Sequence, residues 1–190
     1  MYLAILRDAR FSALLLRLDL DLAAAARAAG CHCGGALHRA NFPRKPRGGS
    51  SALGPEHDQR FSFCCGSDGC RQRATPPSLR FLGRKVYFAA VVVLVTAMRH
   101  GATPERVRRL RELFGVSRRT LERWRAWWRT AFAQGSFWRA AAGVFMPPVE
   151  VSLLPASLLD RFGSEAETRV LALLRFLGPI TGGVAAAHAR

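Results

Sequence analysis

The chain is 190 residues long and 49% hydrophobic, with 29 Lys and Arg against 13 Asp and Glu for a formal net charge of +16. Such a length supports one domain or two small ones, and the apolar content is enough for a core. The longest apolar run, 85–98, falls short of the roughly twenty residues that cross a bilayer, and the basic stretches lack the sustained apolar face of an interfacial anchor, so no membrane partner is expected. The excess charge sits in the middle: residues 31–85 and 86–135 each carry 10 basic and 3 acidic side chains, whereas 1–30 and 136–190 are each only +1. A polyanion fits that distribution, because each phosphate neutralised by an arginine releases condensed counterions.

From Phe11 to Ala29 the positions Leu14, Leu15, Leu18, Leu22, Ala25 and Ala29 recur at helical spacing, with Arg17, Asp21 and Arg27 between them and Gly30 suited to end the helix. Residues 1–30 are read as a bracing helix. Arg17, Asp19 and Asp21 interrupt what would have to be the uncharged core of an export signal, so the chain is read as cytoplasmic, nucleoid-associated and reduced.

The helix delivers the chain to its cysteines, which form two groups, CHCGG from Cys31 and FCCGSDGC from Phe63. In a reduced compartment, clustered thiolates beside glycines that let the backbone turn suit one structural zinc ion. The expected ligands are Cys31, Cys33, Cys65 and Cys70, with Cys64 the surplus thiol or the alternate to Cys65. His32 and His38 stand near enough to substitute. Buried thiols or a disulfide framework are the alternatives, although five cysteines leave one unpaired. Within this module, residues 31–80, the Pro- and Gly-rich stretch Asn41 to Arg60 reads as an exposed loop whose first half, Arg44, Lys45 and Arg47, is a basic arm able to lie along DNA. Phe61 and Phe63 alternate with polar residues as in a short strand entering the second cysteine group, giving a β-hairpin pinned by metal.

The third segment, 81–135, opens with the apolar run Lys85 to Met98, read as a buried helix. Thr103, Pro104 and Glu105 are three independent signals that start another helix; Val107, Leu110 and Leu113 give it a core stripe, and Gly115 stops it. Ser117 caps a further helix from Arg118, on which Leu121, Trp124, Trp128 and Ala131 or Phe132 face inward. Helix, short glycine turn and helix is the arrangement that places a second helix in a major groove. Arg118, Arg119, Thr120 and Arg123 are the candidates for base edges, Arg125 and Arg129 for phosphates. In 136–190 the charge falls away; Ser164 with Glu167 reads as a capping box for a helix to about Leu177, followed by a poorly ordered Gly- and Ala-rich tail. This neutral segment offers a surface for self-association.

The run from Cys31 to Phe132 resembles the N-terminal DNA-binding region of bacterial insertion-sequence transposases, in which a zinc ribbon precedes an apolar helix and then a helix-turn-helix. The residues that carry the likeness are Phe61, Phe63, Cys65, Cys70, Thr75 and the segment GVSRRTLERW from Gly115 to Trp124. The resemblance implies a mainly α fold with a small zinc-ribbon β-hairpin, and duplex DNA as partner. Transposases of that kind cut DNA with three carboxylates on a nuclease domain of about 100–150 residues. After Phe132 there are 58 residues, whose acids are Glu150, Asp160, Glu165 and Glu167, so no catalytic residue is assigned. The expectation is a non-catalytic DNA-binding protein of mobile-element origin. Its alternatives are a targeting subunit for a separate transposase or nuclease, and an RNA-binding zinc protein.

Overall fold

A computed structural model describes residues 2–44, 46–50, 52–83, 85–98 and 101–184; Lys45 of the expected basic arm and the last six residues lie outside the described set. The chain is mainly helical with a small antiparallel sheet. After a short α1 (Tyr2–Ile5), α2 runs from Ala9 to Ala29. It starts two residues before the apolar periodicity because Asp8 caps it, accepting the Arg10 amide at 2.8 Å. Its buried stripe is Phe11, Leu15, Asp19 and Ala23, spaced four apart, rather than the expected row ending at Ala25 and Ala29, which are exposed.

Six short strands lie beyond α2: β1 (Leu37–Arg39), β2 (Phe42–Pro43), β3 (Gln59–Arg60), β4 (Phe63–Cys65), β5 (Arg73–Thr75) and β6 (Gly183–Val184). The larger sheet has the order β1-β4-β5-β6, all antiparallel, and β2 pairs with β3. Leu37, Phe61, Phe63 and Cys65 pack beneath Ala23 of α2 as a small apolar cluster. β6 corrects the expectation of a poorly ordered tail as far as residue 184. Thr181 fixes this return, since its hydroxyl accepts the Ser78 amide at 2.7 Å while its carbonyl accepts Arg60 at 3.1 Å.

The larger core is centred on α3 (Ala89–Thr96), in which every residue is buried. The apolar run preceding it is extended rather than helical: Arg47 bridges to Tyr87, and Phe81 to Phe88. Around α3 pack α4 (Pro104–Phe114), α5 (Arg118–Trp127), a π-turn at Trp128–Phe132, α6 (Ser136–Ala141), α7 (Ala156–Leu159) and α8 (Ala166–Phe176). Trp128 donates its indole N–H to Thr96 Oγ1 at 2.9 Å, and Thr96 in turn donates to the Val92 and Val93 carbonyls, so a polar pair is satisfied inside an apolar wall. α8 begins at Ala166 with Glu165 as cap, accepting the Thr168 amide at 2.7 Å, one residue later than the expected Ser164 box.

The expected free arm at 41–60 is instead fastened down. Arg44 donates to the carbonyls of Gly83 and Lys85 at 3.1 and 2.8 Å and lies over the Phe81 ring, while the Arg47 backbone pairs with Val86 and Phe88. Arg44 is therefore a clamp between two segments, which removes it from the candidates for a DNA-following arm. Arg47 keeps an exposed side chain.

Candidate metal centre and cationic surface

Cys31 and Cys33 lie in the turn between α2 and β1, Cys65 ends β4, and Cys70 lies in the turn before β5. The antiparallel ladder sets Leu37 opposite Cys65 and His38 opposite Cys64, and the two-residue period of β4 turns neighbouring cysteines to opposite faces. Cys65 points inward and is buried; Cys64 points away, its thiol donating to the Arg71 carbonyl at 3.5 Å. The sulfurs of Cys31, Cys33, Cys65 and Cys70 all lie within 4.8 Å of one another, with Cys31 to Cys70 at 3.7 Å and Cys33 to Cys65 at 3.4 Å. A tetrahedral ion with metal–sulfur bonds of about 2.3 Å needs sulfur–sulfur edges of about 3.8 Å. His32 and His38 are not in the group.

The Ser67 amide donates to Cys65 Sγ at 3.4 Å, and the amides of Cys33, Gly35 and Gln72, each two places beyond a cysteine, favour the thiolates of Cys31, Cys33 and Cys70. Amides aimed at sulfur stabilise thiolates. The turns that supply them are tied together, since Cys31 and Gly66 amides bond to the Gly35 and Ala36 carbonyls at 3.2 and 3.0 Å. A side chain at Gly35 would force Ser67 and the Cys65 sulfur to move, since a Cβ would stand 2.1 Å from Ser67 Oγ and 2.7 Å from Cys65 Sγ.

Without a cation Cys33 and Cys70 are pushed in opposite directions. The Gly35 amide, followed by hydrogen bonds from the other three sulfurs, lowers Cys33 to about 6. Cys70 feels the Gln72 amide pulling it down, but bonding with Cys33, desolvation and the Cys31 and Cys65 sulfurs outweigh that and push it up to about 12. A bound divalent ion inverts this competition by supplying the positive charge that all four thiolates share. Four sulfurs close the coordination shell, so the site can hold one ion in a structural role, with no position left for substrate.

The second feature is the α4–α5 pair. Thr103 caps α4 through the Arg106 amide, Gly115 ends it in the left-handed conformation at φ +67°, and Ser117 caps α5 through the Thr120 amide at 3.2 Å. On α4, Leu110 and Phe114 are buried and Val107 half-buried; Leu113 is exposed, correcting its place in the core stripe. Leu121 and Trp124, with Trp128 and Phe132 beyond, anchor the inner face of α5, while Ala131 is exposed. The turn is held from below by Tyr87, which donates to the Gly115 carbonyl at 2.9 Å and meets Trp124 edge-on at 4.9 Å.

Arg118, Arg119 and Arg123 are exposed on the outer side of α5, Arg129 is exposed in the π-turn that continues it, and Arg125 is half-buried. Arg118 pairs with Glu122 at 2.8 Å. Thr120 is half-buried and engaged with the Ser117 hydroxyl at 3.0 Å, a capping role. Arg125 is lowered by burial and then by its like-charged neighbours Arg129 and Arg106, which marks a crowd of guanidinium groups where α5 passes α4.

No family model, curated protein or solved structure matches the chain.

Sequence reasoning missed a buried ion pair. Asp19 and Arg80 are essentially inaccessible and meet at 2.9 Å. Asp19 also accepts the Ser78 hydroxyl and the Leu79 amide, while Arg80 donates to the carbonyls of His57 and Gln59 at 3.0 and 2.9 Å and stacks between Phe61 and Phe81. The pair is fully hydrogen-bonded, which is the condition under which a buried salt bridge is tolerated. It locks α2, the 55–60 turn and the 78–81 segment to one another. The signal was present in the stripe Phe11, Leu15, Asp19 and Ala23, whose spacing puts Asp19 on the inner face.

Proposed function

We propose that this protein is a non-catalytic DNA-binding module, braced by one zinc ion on Cys31, Cys33, Cys65 and Cys70, that engages duplex DNA through the outer face of α5. The observation that carries the reading is the two-sided character of that helix and the π-turn that continues it: exposed Arg118, Arg119, Arg123 and Arg129 on one side, buried Leu121 and Trp124 locked into the core on the other. A rigid rod with cations on its free face and its N-terminus at a tight glycine turn suits insertion into a major groove. Arginine reads guanine bidentately and clamps phosphates, so the same face supplies both register and affinity. Zinc is favoured as the ion because four thiolates in a closed tetrahedron suit a soft, redox-inert cation. The resemblance of GVSRRTLERW and of the cysteine pattern to transposase DNA-binding regions supports an origin in a mobile element.

The test is titration of a labelled duplex at two salt concentrations, with wild type and the Arg119→Ala/Arg123→Ala double variant. Affinity should fall with salt at a log–log slope of about −0.9 per phosphate engaged, and the double variant should lower both affinity and slope. Salt-independent binding, or equal or tighter binding to single-stranded RNA, overturns the reading.

A further inference from the structure

At the C-terminal end of α5 the surface opens into a groove of about 390 Å³, lined by Lys85, Trp127, Phe132, Gly135, Phe137 and Ile180 among others. Its walls are aromatic and its charge is cationic. The Lys85 ammonium lies 3.5 Å from the centre of the Trp127 ring, and no carboxylate among the described residues pairs with it. Its backbone is held in place by Arg44, which donates to the Lys85 carbonyl at 2.8 Å. Arg123, one turn back on α5, adds a second positive charge that acts on Lys85. Burial first, and then Arg123, lower the lysine to about 8. A half-buried cation that faces an aromatic ring but no carboxylate lacks its counter-charge: an anion carrying its own ring would supply that charge and a further stacking partner for Trp127 and Phe137.

We propose that this groove receives an unpaired nucleotide of the bound DNA, its base against the half-buried rings of Trp127 and Phe137 and its phosphate at Lys85. The inference rests on the duplex-binding reading, because Arg123 is exposed on α5 one turn before Trp127, which lines the groove, so a strand lying along α5 passes close to it. A base pair cannot enter, since each base of a duplex is already stacked; a frayed end, an overhang or a flap presents a free ring. Every base has a π-face, so the groove would tolerate sequence.

The experiment uses the zinc-loaded full chain and three probes: a blunt duplex, the same duplex with a one-nucleotide overhang, and the same duplex with an abasic overhang that keeps the phosphate. The overhang is expected to tighten binding about tenfold over the blunt probe, the scale of stacking one base on an aromatic side chain, and the abasic overhang to give little of that gain. Lys85→Gln and, separately, Trp127→Leu should abolish the gain while leaving blunt-duplex affinity within about twofold. Equal affinity for all three probes, or a gain that survives in both variants, overturns the proposal. If the blunt duplex itself is not bound, the reading of α5 fails and the groove is judged with deoxyadenosine monophosphate: saturable quenching of tryptophan fluorescence that Lys85→Gln removes supports it, and absence of such quenching overturns it.

Discussion

Around the cysteines the apolar cluster consists of Leu37, Phe61, Phe63 and Cys65 against Ala23, whereas the helical part buries a continuous wall from Tyr87 and α3 through Trp124, Trp128 and Phe132 to Leu173 and Leu174. The first region has too little apolar surface to hold itself and relies on directional contacts: four converging sulfurs and the Asp19–Arg80 network. The second relies on packing, with the Trp128–Thr96 bond as its polar exception. Unit for unit, a small β module needs bonds that water cannot replace, while a helical core is stabilised by area removed from water.

The largest expected effect follows metal removal. Metal binding by small thiolate sites contributes roughly 10–16 kcal/mol in zinc-finger peptides. Chelation, or Cys33→Ser, should therefore release the amides of β1, β4 and β5 to hydrogen exchange while those of α3 and α5 stay protected. Equal loss of protection in both regions would show that the division is not real. Replacement of Arg80 by Ala should cost about 3–5 kcal/mol, because it strands a buried carboxylate. The Asp19→Leu/Arg80→Met double variant should unfold at higher denaturant than Arg80→Ala alone, and failure to do so would place the energy in Arg80's ring contacts rather than in its charge.

Thr96→Val leaves the Trp128 indole N–H without its acceptor and should cost about 1–3 kcal/mol, read as a lowered denaturation midpoint without change in slope. Ser117→Ala removes the cap of α5 and should cost about 1 kcal/mol. Since that cap also fixes the entry of the arginine-bearing helix, duplex affinity is expected to drop with it, and Ser117→Asp to restore both. Restored stability without restored affinity would separate the cap's role in folding from its role in presentation.

Local chemistry was readable where one residue sets its own neighbourhood. Thr103, Pro104, Gly115 and Ser117 mark the ends of α4 and α5 because caps and left-handed turns are decided within four residues. The convergence of Cys31, Cys33, Cys65 and Cys70 was readable from their grouping, and the alternation of β4 explains why Cys64 turns away. What lay beyond reach depends on partners far along the chain. Arg44 reads as part of a basic arm until the Gly83 and Lys85 carbonyls are beside it, and Asp19 reads as an interruption until Arg80, 61 residues later, meets it. The strand at Gly183–Val184 has no pattern of its own; it exists because β5 offers an open edge and Thr181 is anchored to Ser78.

That last strand has a consequence for how the molecule is assembled during synthesis. Residues 31–75 leave the ribosome with their thiols ready to trap an ion, yet the edge of β5 stays uncovered until more than a hundred further residues have been made and the helices between have docked. A nascent chain would thus carry an exposed strand edge of the kind that invites pairing with a neighbour. The closing step, joining segments so far apart, should be the slow one, and its rate should set how much of the protein escapes self-association as it is produced.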